Sequence, residues 1–352
     1  MVVLAGIAAY AWFRPQTSSV ETIEDTLVNL AKREGSLVIY GAIDATDWEN
    51  VLKPDFMAIY PWASVEYVQL TPAAIATRAI SEYQAGHVGG DVTIMILGPT
   101  ITIVQAGAGE KYDNPMIKLM NYPNGTYDPE GYWQPGYGLH ESLVYNTNYV
   151  NAQDLPEYWT DIDDPKWDGN FAADRPSSLN IFGGLLATLY PMMSNATWTS
   201  FVEGIAANHP IWAESVSAAF QKVATGEALI GLGSNNDYKT AKEQGAPIER
   251  KLLKQPDGKV LVTSQYLPSL ILKNCTHPNM AKLFVQWWIS ASGQVGISKT
   301  GRVPAQPEIA AATILSIAPY PSGVTAVPLA YNNPDYWKNP TSWSDLYREL
   351  IG

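Results

Sequence analysis

Three short runs decide the fold class: Ser36-Leu37-Val38-Ile39-Tyr40-Gly41, Val65-Glu66-Tyr67-Val68-Gln69-Leu70 and Asp91-Val92-Thr93-Ile94-Met95-Ile96-Leu97. They are rich in β-branched and aromatic residues. Gly41 stops the first and Gly98-Pro99 stops the third, so they read as buried strands. Helical patterns lie between them. Thr22 to Glu34 sets Ile23, Leu27, Leu30 and Ala31 on one face and ends at Gly35. Trp48 to Tyr60 reads as a second helix. Thr71-Pro72 opens a third that runs through Gln84, with Thr71 as N-cap and proline in the first turn. Strand and helix alternate, the sequence sign of a parallel sheet with helices on its faces.

Outward from this block the pattern pauses and resumes. Asn121 to Gly138 is rich in Tyr, Pro and Gly and has no period, so it reads as an ordered surface excursion; its aromatics argue against a disordered linker. Leu139 to Asn146 returns to strand. A second α/β stretch runs from about Phe171 to Thr263, with a helix at Ser217 to Thr225, Gly226 as its cap and a strand at Ala228 to Leu232. Leu267 to Lys273 reads as another strand. Asn279 to Ile289 is the strongest helix, with Met280, Leu283, Phe284 and Trp287 on one stripe. The tail from Pro319 is Pro- and aromatic-rich and ends in a short helix near Ser344 to Leu350.

A chain of 352 residues with 46% hydrophobic content buries a large core and suits two domains, or one α/β unit split into two lobes. Its formal net charge of -12 repels phosphate backbones, so nucleic acid is not an expected partner. Cys275 is the single cysteine, which excludes an intrachain disulfide. Met1 to Phe13 is apolar and uncharged, but shorter than the roughly 20 residues a membrane span needs. It suits a signal-peptide core, with Ala9-Tyr10-Ala11 as a small-x-small cleavage form, or the outer half of a membrane anchor; a buried core helix is the bland alternative, and the polar stretch that follows at once argues against it. Arg14 to Ser19 reads as a tether. Sequons at Asn124, Asn195 and Asn274 could make an external protein a glycoprotein.

The search for reaction chemistry finds no set. His87, His140, His209 and His277 are not at helical ligand spacing, so no zinc motif is present. There is no nucleophile elbow and no phosphate loop, and Gly231-x-Gly233 lacks the third glycine of a dinucleotide site. His140-Glu141 are strand neighbours, which point to opposite faces, so a structural or hinge role fits them. No enzyme activity, catalytic residue, metal or cofactor is expected. What recurs is a polar loop after a strand: Gly41 to Asp47, Thr71 to Ala73, Gly98 to Thr102, Asp174 to Asn180 and Ser234 to Tyr238. Each alone reads as a helix cap. Together, in two halves, they read as a ligand cleft, because open α/β sheets bind ligands beyond strand C-terminal ends.

Several segments in order carry a family likeness. They are Ala31 to Tyr40, Glu82-Tyr83-Gln84-Ala85-Gly86 with Gly90-Asp91-Val92, Leu143-Val144-Tyr145-Asn146-Thr147, and Leu155-Pro156 with Trp159. They continue with Asp164-Pro165-Lys166-Trp167-Asp168-Gly169, Val223 to Ala228, His277 to Phe284, Ser292-Gly293-Gln294 and Gly301-Arg302-Val303-Pro304. From about Ala31 to Pro304 the chain resembles the extracellular solute-binding proteins of ABC importers. It is most like the branch with ferric-iron, sugar-phosphate, thiamine and polyamine binders. The resemblance implies an α/β, two-lobed, type II periplasmic-binding-protein-like fold with crossing hinge strands near Leu139 to Tyr145 and Ser264 to Leu272. It implies an N-terminal segment and tether at 1–20, lobe 1 at 21–138 plus 268–352, and lobe 2 at 139–267. It also implies extracytoplasmic capture of a small solute and delivery to a permease. Ligand contacts would come from Asp44, Thr71, Ser177, Ser178, Ser215, Asn235, Asn236, Tyr238 and, near the hinge, Tyr266.

One departure bears on cargo. Ferric-iron members use neighbouring tyrosines after the second lobe's strand, whereas this chain has Ser234-Asn235-Asn236-Asp237-Tyr238, with a single tyrosine. Asn and Ser beside aromatics suit a neutral or modestly charged organic solute, and Arg175 could pair an anionic group. The alternative function is a cell-surface assembly protein on the same fold, self-associating or membrane-held through the uncharged N-terminal helix.

Overall fold

Gly35 makes the first turn of the architecture. In the computed structural model, which describes residues 18–177, 180–255, 258, 260–306, 308–310, 325–328 and 340–352, α1 (Ser18–Glu34) ends at this glycine. Its φ is 68° and its N–H donates to the Ala31 carbonyl at 2.9 Å, a left-handed cap that glycine adopts without a Cβ penalty. β1 (Ser36–Gly41) follows, then helical turns at Ala45–Asp47, Trp48–Leu52 and Lys53–Ile59, and β2 (Ser64–Gln69). α2 (Pro72–Gln84) starts where expected, its Thr71 cap accepting from the Ala74 N–H at 3.4 Å. β1 pairs in parallel with β2 and with β3 (Val92–Ile94).

The third strand is shorter than its apolar run. α3 (Leu97–Gln105) takes over at Leu97, with Pro99 in its first turn, where proline's missing N–H costs nothing. Gly98 to Thr102 is therefore helix, not the polar loop expected there; Thr100 folds its hydroxyl back onto the Ile96 carbonyl at 3.0 Å. The aromatic excursion likewise stops early. β4 (Trp133–Asn146) begins inside it, because Trp133 and Gln134 find partners in Leu270 and Ser269 of β9 (Leu261–Ile271).

The second block contributes β5 (Phe171–Asp174), α4 (Ile181–Leu189), α5 (Asn195–Ala207), β6 (Ile211–Ala213), α6 (Val216–Ala224), β7 (Ile230–Ser234), α7 (Asn235–Glu243) and β8 (Ile248–Lys251). After β9 come α8 (Pro278–Trp288), α9 (Ala291–Lys299), β10 (Val303–Pro304), β11 (Thr325–Pro328) and α10 (Pro340–Ile351). The described strands join in the order β2-β1-β3-β9-β4-β7-β5-β6, with β8 and β10 also beside β4 and β11 beside β9. β5, β6 and β7 run parallel, as do β1, β2 and β3. β4 and β9 are antiparallel to these neighbours. Gly231 and Gly233 lie within β7, where a Cβ would stand 2.7 Å from the Ala172 carbonyl or from Val144. Close packing explains them without a dinucleotide.

Apolar burial divides on either side of the two long strands. One set of clusters holds α1, β1 to β3, α2, α3 and α8, around Trp48, Phe56, Phe284 and Trp288. The other holds β5 to β7 and α4 to α6, around Trp159, Phe171, Phe182, Trp198 and Phe220. α10 sits with the second set: Tyr347 is buried there and donates to the Gly183 carbonyl at 2.5 Å. The sequence reading placed 268–352 wholly with the first lobe. The aromatic face of Trp343 and Tyr347 instead finds its partners in Trp198 and Tyr190.

Candidate functional site

The register of β4 sets the site. β3 ends at Ile94, opposite Ser269 of β9, which itself pairs with Gln134. β7 ends at Ser234, opposite Glu141. The strand ends of the two halves therefore approach the same stretch of β4 from opposite directions. Gln134 to Glu141 is seven steps, roughly 23 Å at ~3.3 Å per residue. β10 lies alongside this stretch at Tyr137 and Gly138 and delivers Gly301 and Arg302 to it.

Arg302 is the centre of what gathers there. It is only 3% exposed. Its guanidinium donates to Asp47 Oδ2 at 2.5 Å and to Asp44 Oδ2 at 3.2 Å, and lies 5.6 Å from the Tyr137 ring. Burial opposes the charge, but Tyr137, Asp47 and Asp44 outweigh it and hold the guanidinium above its ordinary value. Asn235, first residue of α7, ties the second half to this point: its carbonyl oxygen accepts from the His140 N–H at 2.8 Å and its amide donates to the Gly301 carbonyl. Tyr67 stacks on Trp48 at 4.6 Å and donates to the Ile43 carbonyl at 2.7 Å, fixing the loop that carries Asp44.

Three acids with neutral partners lie near one another, and Asp237 among them feels the Arg302 charge. Asp237 accepts from Ser217 at 2.8 Å and from the Asn236 amide at 3.2 Å. Glu141 accepts from Ser234 at 2.7 Å, and Asp174 accepts from the Ile181 N–H at 2.9 Å and the Phe182 N–H at 3.2 Å. Burial pushes Glu141 up to about 8, Asp174 up to about 7 and Asp237 up to about 6. Their mutual repulsion reinforces this at Glu141. Each carboxyl holds its proton more tightly folded than unfolded. The stabilisation is thus full below the ordinary carboxyl range and is lost as pH rises through about 8. Calorimetry should find the protein more stable at pH 5 than at pH 8, with Glu141→Gln flattening the decline. A decline untouched by that substitution would remove Glu141 as its main source. His140 moves the other way, down to about 4, through burial and the nearby Arg250.

The expected residues separate in space. Asp44, Asn235 and Asn236 come together around Arg302. Thr71 and Ser215 are exposed helix caps, Ser215 accepting from the Ala218 N–H at 3.1 Å. Ser177 donates its N–H to Asn180 at 3.0 Å and lines a cavity of about 230 Å³ beneath α10, with Arg175 and Tyr347. Ser178 and the segment 1–17 lie outside the described residues. Tyr238 turns toward β8, donating to Glu249 at 2.8 Å under the Arg250 guanidinium. Burial and Glu249 push its phenol up to about 12, away from the phenolate that Fe(III) favours. Tyr266 packs into the aromatic excursion, accepting from the Gly136 N–H at 3.0 Å and donating to the Thr126 carbonyl. Arg302, Tyr137 and Ser217 were not among the ligand candidates of the sequence, and Asp47 and Asp237 entered only as members of polar loops. The signal for Arg302 was a lone arginine between a glycine and a strand, in a chain with few charges. The three sequon asparagines are all exposed.

Among the described residues, no group of three or more His, Cys, Asp or Glu is placed to hold a metal ion, and no helix is long and apolar enough to cross a membrane. The sequence profile of the bacterial extracellular solute-binding proteins matches residues 55–321. An uncharacterized protein of Haemophilus influenzae is 30% identical over 145 residues, 41% of this chain and 40% of that protein; the match thus spans well under half of that relative. The substrate-binding protein of an ABC transporter from Agrobacterium tumefaciens has the same fold, with a TM-score of 0.73 at 16% identity over 92% of this chain and 97% of that one. AfuA of Actinobacillus pleuropneumoniae, a periplasmic binding protein solved with fructose-6-phosphate, gives 0.67 at 24% identity over 90% and 96%. The type II periplasmic-binding-protein fold is thereby shown, and nothing in these matches supports a surface-assembly subunit. The chain belongs to the bacterial extracellular solute-binding protein family.

Proposed function

We propose that the protein captures a small organic solute outside the cytoplasm, in the crevice between two lobes, and delivers it to the permease of an ABC importer. The observation that carries this reading is the convergence of β3 and β7 on one stretch of β4. A crevice over crossing strands is where an open α/β sheet offers helix N-termini and polar side chains to a ligand. The lobes are residues 21–138 with 268 to about 306, and 139–267 with α10. Asp44, Asn235 and Asn236 face the solute, Thr71, Ser177 and Ser215 border it, and Tyr266 steadies the hinge. Residues 1–20 hold the protein to the membrane or direct its export, and glycans occupy the exposed sequons.

The test is a thermal-shift panel of Fe(III), sugars, sugar phosphates, amines and amino acids. A ligand at about a hundred times its Kd stabilises by roughly 2.7 kcal/mol, so one class should raise the melting temperature by several degrees. If none does, the capture reading fails. With Fe(III) we expect no visible charge-transfer band, because the Tyr238 hydroxyl is spent on Glu249. A band that Tyr238→Phe removes would restore iron as cargo.

A further inference from the structure

The charge balance of this crevice is unfinished. Arg302 is the basic group at its centre, and Asp44 and Asp47 already take its guanidinium. Glu141 and Asp174 are 0% and 2% exposed, Asp237 is half-buried beside them, and every hydrogen bond they accept comes from a neutral donor. Among the described residues no Lys, Arg or His is ion-paired with any of the three. The other nearby guanidinium, Arg250, lies over the Tyr238 ring.

A second observation points at a ligand. The side-chain oxygen of Asn236, in a residue 5% exposed, has no hydrogen-bond partner among the described residues, and neither does Oε1 of Glu141. The Asn236 amide donates to Asp237, so its free oxygen lies beside that carboxylate. Buried acceptors are normally satisfied, and buried carboxylates normally have a cation. Glu141 and Asp174 largely keep their protons near neutral pH and need no counter-charge. The carboxylate that lacks a positively charged donor is Asp237, whose partners are the Ser217 hydroxyl and the Asn236 amide. The acids do not converge as a metal shell, which favours an organic cation over an ion. A phosphate at this point would meet the Asp237 carboxylate, beside a guanidinium whose two Nη atoms are taken by Asp44 and Asp47 and whose Nε alone has no partner among the described residues.

We propose that the crevice binds a solute bearing a protonated amine, its ammonium seated between the Asp237 carboxylate and the Asn236 amide oxygen. This rests on the crevice being the solute site. It narrows the cargo to organic cations and excludes sugar phosphates.

The experiment is calorimetric titration of the full chain with matched pairs: 1,4-diaminobutane against 1,4-butanediol, ethanolamine against ethylene glycol, and glucosamine against glucose, with fructose 6-phosphate alongside. We expect at least one amine to bind and its hydroxyl counterpart to bind about tenfold more weakly or not at all. Asp237→Asn, which keeps the shape and removes the charge, should weaken the amine by about tenfold or more with the unliganded melting temperature held. Should that variant fail to fold, the wild type gives a second reading: amine affinity must fall as salt rises while alcohol affinity does not. Binding of a phosphate, an alcohol or a metal ion as tight as that of any amine overturns the cation proposal and leaves solute capture standing. No binding by any amine overturns the cation proposal, and the wider thermal-shift panel then decides separately whether solute capture stands. Amine binding that ignores both Asp237→Asn and salt overturns the seat at Asp237.

Discussion

Gly136→Ala is expected to prevent folding, or to lower the melting temperature by well over 10 °C. The added Cβ would stand 1.8 Å from the Leu267 carbonyl oxygen, 2.8 Å from its carbon and 3.2 Å from Pro268 Cα. These are backbone atoms of the adjoining strand, so no rotamer can yield. The strands cannot easily part either. Gly136 donates to Tyr266 at 3.0 Å and accepts from Gln294 at 3.0 Å, pinning it on both sides at the irregularity between Gln134 and Tyr137. Steric conflict without relief belongs to the rare class costing more than ~4 kcal/mol, and here it falls on the strand under the site. Gly125→Ala provides the contrast: nothing lies within 4 Å and only a φ of 89° opposes the side chain, so about 1–2 kcal/mol is expected. Urea unfolding of both variants is the check. Equal midpoints would mean that the β4–β9 contact is looser than described.

The second large effect is expected from Asp44→Asn with Asp47→Asn. Together they leave the Arg302 guanidinium 3% exposed and without a carboxylate. Breaking a buried ion pair by removing the counter-charge costs about 3–5 kcal/mol, roughly 5–10 °C for domains of this size. Removing Arg302 alone should cost less, because Asp44 and Asp47 are 53% and 27% exposed at their side chains and can turn to water. Asp44 makes no side-chain cap bond to its helix, so the loss is not a capping effect. Adding Arg302→Met to the double variant removes the stranded charge and should restore most of the stability. If it does not, the cost lies in the loop and not in the buried cation. Denaturant titration of the three variants decides between these.

The site was partly legible. Asp44 and Asn235 stood out as polar residues after apolar runs, and the structure brings them to one point. Tyr238 stood out equally, yet its hydroxyl serves Glu249 on β8, eleven residues on. Ser234 to Tyr238 read as a loop because Ser, Asn and Asp favour turns; in the structure α7 starts directly after Ser234, whose hydroxyl makes no cap bond and donates to Glu141 instead. Gly98-Pro99 misled in the same way, since proline stops a strand but also opens a helix.

What the sequence by itself determined was the alternation of strands and helices, their glycine and threonine caps and the family order of segments. These follow from periodicity and capping, interactions that reach only a few residues along the chain. Only the tertiary structure decided which side chains meet around Arg302. Arg302 meets Asp44 across 258 residues of chain, and Asn235 meets His140 across 95. Such pairs leave no periodic trace, because their geometry is set by the register of β4 against β7, β9 and β10. The packing of those strands, and not any local pattern, turns a lone arginine after Gly301 into the charged centre of the site.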